Sequence, residues 1–151
     1  MSACRPTVVL PGEGKSVDAY GVHISYKAAA QDTRGEYALL EGSVAPGGGP
    51  PWHIHHREDE GFYVLEGTFE ILFGDERFVA TSGAFALLPR DVPHRFRNVS
   101  DRPGRLLGIV SPGGFEAFFE HMSVLAADGP PDPEKARALA DRYGLEFIGS
   151  P

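Results

Sequence analysis

His53, His55, Glu60 and His94 are the residues of this chain whose types and spacing could do chemistry together. Side chains alternate faces along an extended segment, so a strand over residues 51–56 points His53 and His55 one way and Ile54 the other. Glu60 follows shortly after, and His94 opens a second alternating run. Three neutral imidazoles and one carboxylate suit a single divalent transition metal, Fe(II), Mn(II), Ni(II), Co(II) or Zn(II), with one or two positions left for water or substrate. The donor set does not choose among these ions, because affinity for such ligands follows metal availability as much as site design. Glu60 also fits a second role, as a general base toward a bound hydroxyl or an acidic C–H.

Short strands must bring these residues together. Thr7–Leu10 is a short strand candidate, and Val22–Lys27 alternates with Val22, Ile24 and Tyr26 on one face. Gln31–Gly35 reads as a turn and 36–45 as a longer strand. The Pro/Gly-rich loop 46–51 reads as a tight connection into the metal strand rather than a flexible linker. Glu66-Gly67 signals a hairpin between 60–65 and 68–73, and Gly74 suits the first central position of a type II′ turn in the next hairpin. The apolar run 84–88 predicts a strand buried on both faces. In 93–98, Arg95 and Arg97 face solvent while His94, Phe96 and Asn98 face inward; 105–110 closes the series. About ten short strands predict a double-sheet sandwich or jelly roll.

The period then changes. Phe115, Phe118, Phe119, Met122 and Leu125 make a helical stripe, expected mostly to pack against a sheet with one or two phenylalanines near the pocket. A second helix has Asp132 as N-cap, Pro133 at its first position and Gly144 as its stop. The β part is expected to end near Val110, leaving a helical tail. Phe62 and Val64 share a face with Glu60, and Phe96 shares one with His94; with Phe115 and Phe119 these are the expected substrate-pocket walls. Plain core packing accounts for the same residues. Glu58 and Asp59 read as a solvated acidic turn, and His23, His56 and His121 as surface histidines without a catalytic role.

The two histidine stretches also carry a resemblance. Gly47, His53, His55, Glu60 and Gly67 match, without insertion, the first motif of the cupins. Gly83, Pro89, His94 and Asn98 match the second, where Asp91 stands in place of the usual glycine. Asp tolerates left-handed turns, so this departure concerns turn geometry rather than chemistry. The resemblance implies an all-β cupin fold, a double-stranded β-helix or jelly-roll barrel, with a C-terminal helical tail. Residues 1–151 then form one domain, with a barrel core at about 36–110 and helices at about 113–144. The runs Glu58–Gly67 and Ser111–Phe119 are similar to small quercetin 2,3-dioxygenase-like cupins. That similarity implies a metal held by His53, His55, Glu60 and His94, an enol or flavonol oxygen bound to it, Glu60 accepting the enolic proton, and O2 as co-substrate. Two other functions remain open: a non-oxidative isomerase, cyclase, decarboxylase or dehydratase using the metal as Lewis acid on a polyketide-like or keto-acid substrate, and a non-catalytic small-molecule-binding module.

Composition narrows the partners. The chain has 151 residues, 42% of them hydrophobic, with 19 Gly and 13 Pro, enough for one core cut by many turns. A net charge of −7 without a basic patch argues against nucleic acid. Cys4 is the single cysteine, so no internal disulfide forms. With no apolar run of membrane-spanning length and no signal-peptide pattern, the expectation is a cytoplasmic protein. Uncovered sheet edges tend to pair, which predicts a homodimer.

Overall fold

The computed structural model describes residues 5–149, so Cys4 lies outside the described residues. Two antiparallel sheets face each other. The first has six strands: β1 (Ser16–Ala19), β2 (Val22–Ala28), β3 (Ala38–Val44), β10 (Gly104–Ser111), β5 (Asp59–Glu66) and β8 (Phe85–Leu88), in that spatial order. The second has five: β11 (Leu145–Phe147), β4 (His53–His55), β9 (His94–Asn98), β6 (Thr68–Phe73) and β7 (Glu76–Thr81). Period-two alternation turns Val22, Ile24, Tyr26, Leu40, Phe62, Val64, Phe69, Ile71 and Phe96 into the space between the sheets. Phe69 and Ile71 are almost wholly removed from water, a burial that stabilises by about 1.5–3 kcal/mol each.

The expected strand at Thr7–Leu10 does not form. Pro6 and Pro11 bracket it without amide donors, Val8 and Leu10 are exposed, and the first strand starts at Ser16. The turn expected at 31–35 contains one helical turn, α1 (Ala30–Thr33), which ends on Arg34 and Gly35 in left-handed conformations. The loop 46–51 is a tight connection: Gly47 N–H donates to the Asn98 carbonyl at 2.8 Å, and Asn98 N–H returns a bond to Gly48 at 3.0 Å.

Glu66-Gly67 is not a hairpin. One residue separates β5 from β6, too few for a two-residue turn, so the chain bends at Gly67 (φ 94°) and crosses to the opposite sheet. The next pair is the expected hairpin, with Phe73 opposite Glu76 and Gly74 at φ 55°. Nor is β8 buried on both faces. It is an edge strand, and Phe85 and Leu87 are 58% and 61% exposed.

After β10 come α2 (Glu116–Leu125) and α3 (Pro133–Arg142). Asp132 Oδ1 caps α3 by accepting from the amides of Glu134 and Lys135. The tail is not purely helical. Beyond Gly144 (φ 65°) the chain returns as β11 and pairs with β4, Leu145 opposite His55. Phe118, Met122, Leu139, Ala140 and Leu145 form a second core cluster there, packed with Val110 and Phe115. Among the described residues no helix is long and apolar enough to cross a membrane.

Candidate metal centre

His53 and His55 leave β4 on one face, and His94 on β9 stands directly opposite His53 in the antiparallel register. These three belong to the five-stranded sheet. Glu60 comes from β5 of the other sheet, so the group bridges the gap between them. One donor atom from each of the four residues lies within 4.8 Å of the others, and all four residues are buried.

Each imidazole is oriented through its outer nitrogen. His53 Nδ1–H donates to the Pro51 carbonyl at 2.8 Å and His94 Nδ1–H to the Val92 carbonyl at 3.0 Å. His55 Nδ1 faces Glu58 Oε2 at 3.4 Å. In a neutral ring an acceptor at Nδ1 selects the tautomer that leaves the Nε2 lone pair free for a metal, whereas in a protonated ring Nε2–H donates to the carboxylate instead. All three Nε2 atoms converge on Glu60 Oε2, at 4.0 Å from His53, 3.5 Å from His55 and 3.0 Å from His94.

The electrostatics follow from this crowding. Burial pushes the Glu60 carboxyl up, but the imidazoles of His55, His53 and His94 gathered around it, with His94 in hydrogen-bond contact at 3.0 Å, outweigh burial and hold the group well below its usual range. Burial also disfavours charge on both histidines. At His53 it prevails and lowers the pKa; at His94 the bond to Glu60 prevails and raises it. Buried nitrogen donors with fixed tautomers and one ionised carboxylate fit a divalent transition metal, which would be held by His53, His55, Glu60 and His94.

A cavity of about 90 Å³ opens beside this group. His53, His55 and Glu60 form one corner, and Phe62, Phe96, Phe115 and Phe119 stand in the wall as the sequence suggests. Val64 does not: it lies within the core between the sheets, 1% exposed, and is not among the lining residues. Phe118 also lines the cavity, so three phenylalanines at the start of α2 reach it, where one or two were expected. The Phe115 ring sits edge-on to His55 with centroids 4.4 Å apart, joining the site to the C-terminal cluster.

Glu58 is the residue sequence reasoning misplaced. It is 6% exposed and supports His55, whereas its neighbour Asp59 lies outside and pairs with Arg90 at 3.1 Å. Strand alternation carried the signal, since Glu58 and Glu60 are two apart and share a face. Tyr20, a further wall residue, was missed because it sits in the β1–β2 turn at φ 54°. Asp91 adopts the left-handed conformation (φ 66°) that its motif position requires. Asn98 is structural, its amide bonding the Val44 and Arg102 carbonyls. His56, His23 and His121 are exposed, and they pair with Asp91 and Glu146, with Asp18 and with the Tyr143 hydroxyl.

The cupin domain family matches residues 40–110, a span that contains all four candidate ligands. The chain is 32% identical over 111 residues to quercetin 2,3-dioxygenase of Bacillus subtilis, which covers 72% of this chain and 32% of the relative. It is 35% identical over 81 residues to the Aspergillus japonicus quercetin 2,3-dioxygenase, 50% of this chain and 23% of the relative. The chain thus spans a quarter to a third of the length of these curated relatives. In fold it is similar to the polyketide cyclase RemF of Streptomyces resistomycificus, with a TM-score of 0.61 and 24% identity over 71% of this chain and 80% of that one. The motifs, the two-sheet barrel and the domain match agree: the chain carries a cupin domain over residues 40–110, similar in sequence to part of the quercetin 2,3-dioxygenases.

Proposed function

We propose that this protein is a metal-dependent dioxygenase of quercetinase-like type acting on a small aromatic or enolisable molecule. The observation that carries the reading is the position of Glu60. Its ionised carboxylate lines the apolar cavity and at the same time faces three oriented imidazoles. A divalent metal held there supplies a Lewis-acidic centre that favours the enolate form of a bound enol. Glu60 Oε2 takes the approach of the imidazoles, and Glu60 Oε1 is left to receive the enol proton. His53, His55 and His94 keep their outer nitrogens bonded, so the acceptor geometry around Glu60 does not relax as that proton moves. The aromatic wall excludes water and orients the carbon skeleton against the corner. In the net reaction both atoms of O2 enter the organic product and a C–C bond of the substrate breaks. The substrate supplies all the electrons, so no external reductant is needed.

The similarity to the two quercetin 2,3-dioxygenases supports this reading over non-oxidative chemistry. The likeness in fold to a polyketide cyclase favours the second reading, Lewis-acid isomerisation or cyclisation in the same cavity. Oxygen-electrode measurements on metal-reconstituted protein with a set of small cyclic and acyclic enolisable ketones separate the two. Uptake of one O2 per substrate consumed is the expected result; substrate turnover at an equal rate without O2 refutes the dioxygenase and supports the second reading.

A further inference from the structure

The composition of the cavity wall selects among substrate classes. Among the described residues 21 line it, and none of these is Lys, Arg, Ser, Thr, Asn or Gln. Its polar side chains are His53, His55 and Glu60 in the metal corner, plus the phenol of Tyr20. The one carboxylate is negative, and no wall cation balances a second anion. A carboxylate placed anywhere but the metal corner would lose its hydration and gain no counter-charge. A sugar would bury several hydroxyls against Val22, Ile24, Leu40 and Leu106, each unpaired hydroxyl weakening binding by roughly tenfold or more. Burial raises the Tyr20 phenol to about 12, so it stays protonated and offers one neutral donor. The volume of about 90 Å³ lies well under the ~300 Å³ at which pockets for drug-sized ligands begin. The space matches one ring or a short branched chain.

We propose that the substrate is a small, singly anionic oxygen chelator with an otherwise apolar body. It is an enolised β-dicarbonyl or a single ring carrying adjacent hydroxyl and keto groups, with no carboxylate and no further hydroxyls. The inference rests on the metal-centre reading, whose corner must hold the chelating pair. Its consequence is that keto acids, dicarboxylates and sugars are rejected by the wall, not by the metal.

Three 5-hydroxy-4-pyranones that differ only at C2 test it: allomaltol with a methyl group, kojic acid with a hydroxymethyl and comenic acid with a carboxylate. Each is titrated into full-length protein loaded with Co(II), following the visible Co(II) bands and the heat of binding. The expected order is allomaltol, then kojic acid weaker by roughly tenfold, then comenic acid weaker by at least roughly 100-fold. A Phe119→Lys variant supplies the missing cation and should narrow the gap between allomaltol and comenic acid by at least roughly tenfold. Equal or tighter binding of comenic acid to the unaltered protein, or no spectral response to any of the three, overturns the proposal while Co(II) binding stands. Failure of Co(II) itself to bind overturns the metal-centre reading beneath it.

Discussion

Replacing Glu58 by alanine tests whether the groups behind the ligands set metal affinity. Glu58 and His55 are both buried, 6% and 2% exposed by residue, and the Oε2–Nδ1 separation is 3.4 Å. Losing a carboxylate behind a ligating imidazole lowers metal affinity by about 10–100-fold. The contact is longer than a well-formed charge-assisted bond of about 2.8 Å, which places the effect near the lower end, about tenfold or ~1.4 kcal/mol. Stability of the metal-free protein should move differently. A buried carboxylate costs desolvation that one long contact only partly offsets, so its removal leaves the apo unfolding midpoint unchanged or slightly higher. The assay is competition for Co(II) against a chelating indicator, paired with urea unfolding of the apo form, for wild type, Glu58→Ala and Glu58→Gln. Glutamine retains an acceptor and should recover part of the affinity. Unchanged Co(II) affinity in Glu58→Ala refutes the orienting role; parallel losses of affinity and apo stability show that Glu58 acts only through the fold.

The remaining predictions concern ligands, loops, protons and edges. His94→Ala should abolish stoichiometric metal binding whereas His56→Ala retains it, and equal metal content in the two refutes the ligand assignment. Gly49→Ala, which at φ 141° would drive a Cβ into the Phe96 carbonyl, should cost at least about 2 kcal/mol in urea unfolding; a neutral result would show that the loop is slack. The His56 pKa is raised by hydrogen bonds to Glu146 and Asp91. Its stabilisation is therefore full below the ordinary 6.5 and is lost as pH rises through the higher folded value. Accordingly the apo Tm difference between wild type and His56→Gln should be larger at about pH 6 than at about pH 9, and a pH-independent difference refutes the coupling. The exposed edge β8 is expected to be covered by a second copy, so light scattering at micromolar concentration should give a dimer that Leu87→Lys weakens; a wild-type monomer refutes this.

The grouping of the four candidate ligands was legible because it depends on local rules. His53 and His55 share a face by alternation alone, and the spacing to Glu60 and His94 repeats a known motif. What the sequence hid depends on which sheet each strand joins. Gly67 carries the local chemistry of a hairpin, yet the single residue between β5 and β6 directs the chain across the barrel. The run 84–88 is apolar enough for a core strand, yet it lies at an edge. Three residues after Gly144 gave no strand signal of their own, and their strand exists through pairing with β4. Glu58 was hidden by its neighbours: charge density around it suggested solvent, while the pleat turned it inward.

The split origin of the four ligands, three from one sheet and one from the other, has a mechanical consequence. An ion gripped by all of them works as a rivet through both walls of the barrel, because prying the sheets apart must strip Glu60 from the imidazoles. Any such ion binds the folded form in preference to the unfolded one and slows opening along that seam. Metal supply would then govern the protein's persistence against proteases as well as its chemistry. A molecule that loses its ion would be less tightly held at this seam, where residues 56–58 carry the chain from β4 in one wall to β5 in the other.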